Sequence, residues 1–512
     1  MSRLPILAAI LAMLCACATA ETPRTATLAM SDRDQALVGD LDTLIGEARS
    51  RLPMVPALSV AVARSDGPIY VRGFGRADLE HGLAAGATTR FYIASSTKSL
   101  VGLALARIAA REEIDLDWTL AELAPDIPFA PEVRAGEVTL RHLLSHTHGL
   151  ASGSMEFRLA YSGEHDPETL WRLLGTLRPN AEAPLGRFNY GNVGYNVATL
   201  LVERRIGKSW QEIVESEVLV PLGLAQTHAR GLDRARAASI FAAPYDSLSP
   251  GSNARLYLVK EDNTMQSAGG IYSTASDMAR WLTVNLGAAR ARPTPISAEA
   301  IAATHRPVAT MDERFEMFRR TGYGLGWYSG EFGGETLFHS FGGFAGARAH
   351  VSFMPARDVG VAVLVNDQGA GFTLADVIAA FVYDWLGEGP EAAARTARER
   401  IEQIAAQSET RRARRSAEAV QRAQRQWQLS LPRSAYAGRF CNPDYGTIVI
   451  DAQDRALAME MGRLRSVLEP FEQPDTARAE PNPGSGTVLG FVIEDGRVEG
   501  VRGFGSTFRR CG

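Results

Sequence analysis

Two apolar strand pairs stand at opposite ends of residues 35–388, with helix-patterned sequence between them. The first reads Leu58-Ser59-Val60-Ala61-Val62-Ala63, then Ser65-Asp66-Gly67, then Ile69-Tyr70-Val71. An Asp-Gly turn between apolar runs is a hairpin signal. The second pair runs from Ala347 to Phe353, turns through Pro355–Asp358 and returns over Val359 to Val365. Between them lie helical patterns such as Thr139–Leu144 and Thr274–Trp281, the latter opening with Thr274 and Asp277 in a capping-box-like spacing. Strands at both ends and helices in the middle predict an α+β fold: an antiparallel sheet flanked by helices, with an all-helical insert.

The rest of the chain divides by composition. Residues 21–34 are polar and Thr/Ala-rich, and read as a flexible lead. Residues 389–431 carry arginines 395, 398, 400, 411, 412, 414, 415, 422 and 425, with no glycine after Gly389 and no proline between Pro390 and Pro432. This predicts a long polar linker helix or helix pair, solvated because no sustained apolar stripe accompanies the charges; an anionic membrane surface is the second reading. From 432 to 512, short strand-like runs such as Thr447–Ile450, Val488–Ile493 and Gly500–Phe504 predict a small all-β domain.

The N-terminus carries Arg3, an apolar run from Leu4 to Ala18, and Ala18-Thr19-Ala20. That pattern describes a secretory signal peptide over residues 1–20. Leu14-Cys15-Ala16-Cys17 also resembles a bacterial lipobox, which makes Cys17 a candidate lipidation site and a membrane tether the alternative to simple cleavage after Ala20. Either way the expected location is periplasmic or secreted. In an oxidising compartment, Cys441 and Cys511, the cysteines outside the leader, are expected to form a disulfide; two separate thiols are the alternative.

A formal net charge of −4 supplies no global basic field, which argues against nucleic-acid binding. Among the 54 basic residues only Lys98, Lys208 and Lys260 are lysines. A lysine kept where arginine serves everywhere else points to chemistry that arginine cannot perform. Lys98 follows Ser95 by three positions in Phe91-Tyr92-Ile93-Ala94-Ser95-Ser96-Thr97-Lys98, and a helix opening at Ser95 puts the two on one face. A serine becomes a nucleophile when a neighbouring base takes its proton, and a buried lysine can be that base. A second element, Tyr190-Gly191-Asn192, offers a phenol as proton shuttle and an amide able to hold both a substrate carbonyl and Lys98. His146 and His148 lack further ligands for a metal, and no Gly-x-Ser-x-Gly elbow, Walker or dinucleotide fingerprint is present.

With these motifs, residues 36–388 resemble the serine β-lactamase and penicillin-binding-protein superfamily, in its class C-like branch with D-alanyl-D-alanine carboxypeptidases and esterases. Thr139–Leu150, Pro221–Leu224, Ala268–Thr274 and Gly324–Trp327 are similar to family landmarks in the expected order. Tyr436–Phe440 and Asn442–Gly446 resemble the small β-barrel appended to many of these hydrolases. The resemblance implies a cofactor-free, metal-free acyl-enzyme mechanism on a small-molecule or peptide substrate: Ser95 as nucleophile, Lys98 and Tyr190 as base, Asn192 on the substrate. It also implies an oxyanion hole from the backbone N–H groups of Ser95 and Gly343. The third family motif, Lys-Thr-Gly or His-x-Gly, falls on Phe338–Gly346. Aligning glycines gives Ser340-Phe341-Gly342, whereas a one-residue bulge would bring His339 to the cation's place. Loss of that cation implies weak recognition of a substrate carboxylate. A decayed binding protein on the same fold is the alternative function.

Overall fold

The computed structural model describes residues 30–250, 253–452, 456–482 and 484–511; Cys17 and the leader over 1–20 lie outside them. Residues 32–34, expected in the flexible lead, are helical, and residues 21–29 of that lead lie outside the described residues. Ser31 caps helix α1 (Asp32–Arg51), its hydroxyl accepting the Asp34 N–H at 3.1 Å.

The two strand pairs do meet. Strands β1 (Ala57–Arg64), β2 (Gly67–Asp78) and β3 (Leu83–Ala84) come from the first. After helices α2 (Thr97–Ala110), α3 (Val193–Ile206) and α4 (Ala275–Ala289), six more strands follow: β4 (Ala309–Phe315), β5 (Phe318–Tyr323), β6 (Tyr328–Phe332), β7 (Glu335–Phe344), β8 (Ala347–Met354) and β9 (Val359–Val365). They form one nine-stranded sheet in the order β4-β5-β6-β7-β8-β9-β1-β2-β3, with β1 antiparallel to β9 from Leu58↔Val365 to Ala63↔Gly360. Thr274 caps α4 as the sequence implies, but the Asp277 carboxylate accepts from Gln226 and Thr227 instead of closing a capping box.

The central strands are apolar on both faces because both are covered. Ala57, Ala61, Ala63, Ala362 and Leu364 pack with α2 and α4 on the front. Leu58, Val60, Val62, Val361 and Val363 pack on the back with α1 and with α5 (Ala370–Gly387). The connecting helix is a single one, α6 (Pro390–Ala423), and it corrects the solvated reading. Ala393, Ala397, Ile401, Ile404 and Ala405 are buried in the same back layer. Mostly small residues spaced three or four apart make this stripe, and alanines hardly stand out among arginines. Its cations are also engaged within the chain: Arg398 with Glu47, Arg415 with Asp246, Arg422 with Glu469.

Beyond α6, eight strands from Gly438 to Cys511 close into a barrel, β10 (Gly438–Asn442) pairing with the last, β17 (Ser506–Cys511). Cys441 and Cys511 form a disulfide across this closing pair, with Cα atoms 5.8 Å apart. The barrel's interior is filled by Phe440, Ile448, Met459, Met461, Leu489, Val501 and Phe508.

Two measurements test this packing. Ile401→Ala is expected to lower the unfolding free energy by about 2–5 kcal/mol in urea denaturation of the full chain, since α6 is core and not linker. Burial also pushes His305 from 6.5 to about 3 and His148 to about 4. Depressed histidine values mean that stability is complete above the unfolded value near 6.5 and is lost as pH falls below it. Going from pH 7 to pH 5 is expected to cost about 2 kcal/mol for each such histidine. A stability unchanged over that interval would contradict their burial as neutral rings.

Candidate active site

The site is built where four segments converge. Phe91-Tyr92 pairs with Tyr272-Ser273, and the Ile93 N–H donates to Ile271 O at 3.1 Å. The chain then turns through one 3-10 turn, Ala94–Ser96, before α2 starts at Thr97. Ser95 therefore lies just ahead of the α-helix instead of opening it. Ala94 has φ +44°, a left-handed conformation that costs a residue with a Cβ, and such strain is characteristic of turns that present a reactive group.

Lys98, 1% exposed, brings its Nζ to 3.2 Å from Ser95 Oγ, 2.9 Å from Asn192 Oδ1 and 2.7 Å from the Ala268 carbonyl. As an ammonium it donates to all three. As an amine it donates to Asn192 and Ala268 and turns its lone pair to the serine hydroxyl. The two flanking acceptors thus aim the third position at Ser95 in either form. Asn192 sits directly before α3, and Asn196 on that helix accepts from the Ala268 N–H at 3.2 Å. One helix therefore fixes both acceptors.

Tyr190 presents its ring to Lys98 Nζ, 4.9 Å from the centroid. Among the described residues no hydrogen bond joins its hydroxyl to Ser95 or Lys98, so the phenol is brought to the site but not tied to the serine. His146 underlies this segment. Its ring lies 4.5 Å from that of Tyr190, and its Nδ1 accepts the Gly191 N–H at 3.4 Å. The other nitrogen, Nε2, then carries the proton and donates to the Tyr323 hydroxyl at 3.2 Å. Burial and the charge of Lys98 hold His146 well below the ordinary histidine range, so it is a neutral prop. His148 accepts the Leu150 N–H.

The third motif separates cleanly by strand alternation. A Cβ built on Gly342 would stand 1.9 Å from Ile93 O and 3.1 Å from Ser95 N, whereas one on Gly343 would meet the Phe372 ring of α5. Ser340 and Gly342, two apart on β7, thus face the Ser95 turn, while His339 and Gly343 face the back layer. The pairing with β8 runs unshifted from Phe338↔Phe353 to Phe344↔Ala347, so no bulge rotates His339 forward. This corrects the candidacy of His339. It is 2% exposed on the back face, its ring 4.7 Å from that of His350, and Ser340 takes the motif's place. His339, His350 and Asp376 bring their ligand atoms within 4.8 Å of one another, but the Asp376 carboxylate already binds Arg348 and His350 at 2.6 Å each. Strand β6 pairs with β7 only as far as Tyr328↔His339, which leaves the edge of Ser340–Phe344 open beside Ser95. The Gly343 N–H lies on this stretch, next to the Gly342 contact with Ser95 N.

Two contributors carry no motif. The Ala268 carbonyl is a backbone atom, invisible as a residue type. Glu156 accepts the Asn192 N–H at 3.4 Å; burial raises its pKa, while the Asn192 and Val193 N–H groups and Lys98 pull it down. A lone glutamate in the helical insert offers no spacing by which to find it.

With this geometry, similarity to known proteins becomes informative. Esterase EstB of Burkholderia gladioli is 32% identical over 229 residues, covering 42% of this chain and 56% of that protein. Unguisins hydrolase ungD' of Aspergillus campestris is 25% identical over 329 residues, covering 61% of this chain and 58% of that protein. The chain thus spans somewhat over half the length of these relatives. The octameric penicillin-binding protein homologue from Pyrococcus abyssi shares the fold, with TM-score 0.60 at 21% identity over 92% of this chain and 99% of that one. Residues 49–384, more than half of the chain, match the family model described as Beta-lactamase, and the chain belongs to that family.

Proposed function

We propose that this protein is a serine hydrolase that cleaves ester or amide bonds through an acyl-enzyme on Ser95. The observation that carries the reading is the buried Lys98 nitrogen, held within 3.2 Å of Ser95 Oγ by Asn192 and the Ala268 carbonyl. The esterase and hydrolase named among its relatives support it.

The reaction follows from the groups present. Ser95 Oγ bonds to the substrate carbonyl carbon while its proton passes to the Lys98–Tyr190 pair. The carbonyl oxygen, now negative, is held by the N–H groups of Ser95 and Gly343. When the intermediate collapses, the bond to the departing oxygen or nitrogen breaks and that atom takes a proton from Tyr190. Water then adds to the acyl carbon, gives its proton to the same pair, and the acid leaves as Ser95 Oγ is reprotonated. Ser340 in place of a cation, with His339 turned to the back layer, favours substrates without a carboxylate at this edge. The disulfide and the leader-like start support an exported enzyme.

Three variants test the chemistry against p-nitrophenyl acetate and a fluorophosphonate probe. Ser95→Ala is expected to abolish both labelling and turnover. Lys98→Arg puts a cation there that cannot act as a base, and a loss of about 10²–10⁴-fold in kcat is expected. Gly342→Ala would force β7 away from the Ser95 turn, and kcat is expected to fall about 10²–10³-fold as the oxyanion hole opens. Turnover that persists at wild-type level in Ser95→Ala defeats the proposal outright.

A further inference from the structure

Tyr190 has two sides. One faces Lys98; the other borders a cleft of about 390 Å³ between the Phe188–Tyr190 segment and the β4–β5 hairpin. We propose that this cleft is the leaving-group subsite and that it takes a flat aromatic alcohol or amine carrying no carboxylate. The inference rests on the hydrolase reading above, because it locates the departing group at the phenol that protonates it.

The walls are aromatic. Phe188, Phe315, Tyr328 and Phe341 line the cleft with Tyr190. The Tyr190 ring lies 5.8 Å from Phe341 and 6.2 Å from Tyr328, and Phe315 lies 4.9 Å from Phe341. Phe188, Tyr190, Phe315 and Phe341 are only partly buried, so ring surface faces the cleft itself. Aromatic faces left open in a concavity beside a catalytic group fit another ring in stacked or edge-on contact, at the spacings these rings already show.

The charges at the cleft do not form a carboxylate hook. Arg320 is 4% exposed, with its guanidinium 3.8 Å from the Phe315 centroid and 3.7 Å from that of Tyr328. It is a plank of the wall, and its Nη1 is matched by Glu313 at 3.1 Å. Glu313, exposed in the same lining, would repel an incoming carboxylate. Arg314 stands exposed at the rim, where water and salt screen it. Asn189 completes the lining and can accept or donate to a polar substituent.

The test compares kcat/KM for three acetate esters on the full chain: methyl acetate, benzyl acetate and the acetate of 4-(hydroxymethyl)benzoate. Methanol and benzyl alcohol are of similar acidity, so their ratio reads binding of the ring and not leaving-group reactivity. Benzyl acetate is expected to exceed methyl acetate by about 10–100-fold, and the carboxylated ester to fall about tenfold or more below benzyl acetate. In Phe315→Ala the benzyl-to-methyl ratio is expected to drop toward one, with fluorophosphonate labelling of Ser95 showing that the variant folds. The wild-type comparison decides the point even where the variant does not fold. If Ser95 labels and methyl acetate is hydrolysed, but the wild-type ratio is near one or the carboxylated ester is preferred, the subsite proposal alone is overturned. A ratio in folded Phe315→Ala equal to wild type also overturns it. Absence of both labelling and turnover defeats the hydrolase reading, and this one with it.

Discussion

A lysine nitrogen buried beside a serine must have each of its hydrogen-bonding positions filled, and that requirement organises the middle of this protein. The burial that removes water from Lys98 also removes the easiest partner for its nitrogen. Three partners from separate parts of the chain replace it: the Ser95 hydroxyl, Asn192 ahead of α3, and the carbonyl of Ala268. Only Ser95 is close to Lys98 in sequence. The helical insert between α2 and α4 thus has a definite task, to return Asn192 and Ala268 to the start of α2.

The sheet meets the same helix from the other side, and it does so at distances that exclude side chains. Gly326, with φ +92°, would place a Cβ 2.4 Å from Lys98 O, and Gly342 would place one 1.9 Å from Ile93 O. Backbone-to-backbone approach at these two points fixes the Ser95 turn against β7, with the strand's open edge alongside. The site is rigid because helix and sheet are locked by contacts that almost any substitution would push apart.

Much of this is legible in the sequence wherever the signal is local. Ser95 and Lys98 are three residues apart, Tyr190 and Asn192 both lie just ahead of a helix, and both hairpins announce themselves by their turns. Short strands predict the C-terminal all-β domain, the family resemblance its barrel, and export the Cys441–Cys511 disulfide, whereas the closure by eight strands is found only in the structure. What is not legible depends on tertiary placement. His339 and Ser340 are adjacent, and only the strand register with β8 decides which one faces the nucleophile. The role of α6 was hidden because alanine buries little area per residue, yet Ala393, Ala397 and Ala405 let it lie close to α5 and α1. Glu156 and the Ala268 carbonyl act through partners far away in the chain, so no spacing rule reaches them.

The barrel belongs to the same argument, through the segment that carries Glu156. Its interior is packed with side chains, which leaves its outer surface as the working part. Phe157, next to Glu156, lies 5.9 Å from Tyr445 and 4.9 Å from Phe504 of the barrel. The Arg463 N–H donates to Ser162 O at 2.9 Å, and Arg172 pairs with Asp444 at 2.8 Å. These contacts hold the Gly153–Ser162 stretch at Phe157 and at its end, Ser162, while Glu156, next to Phe157, accepts from the Asn192 backbone. A chain of touching groups therefore runs from the barrel through Phe157 and Glu156 to Asn192 and on to Lys98. Loosening the barrel would free the carboxylate that steadies Asn192, and with it one of the two acceptors that aim the Lys98 nitrogen at Ser95.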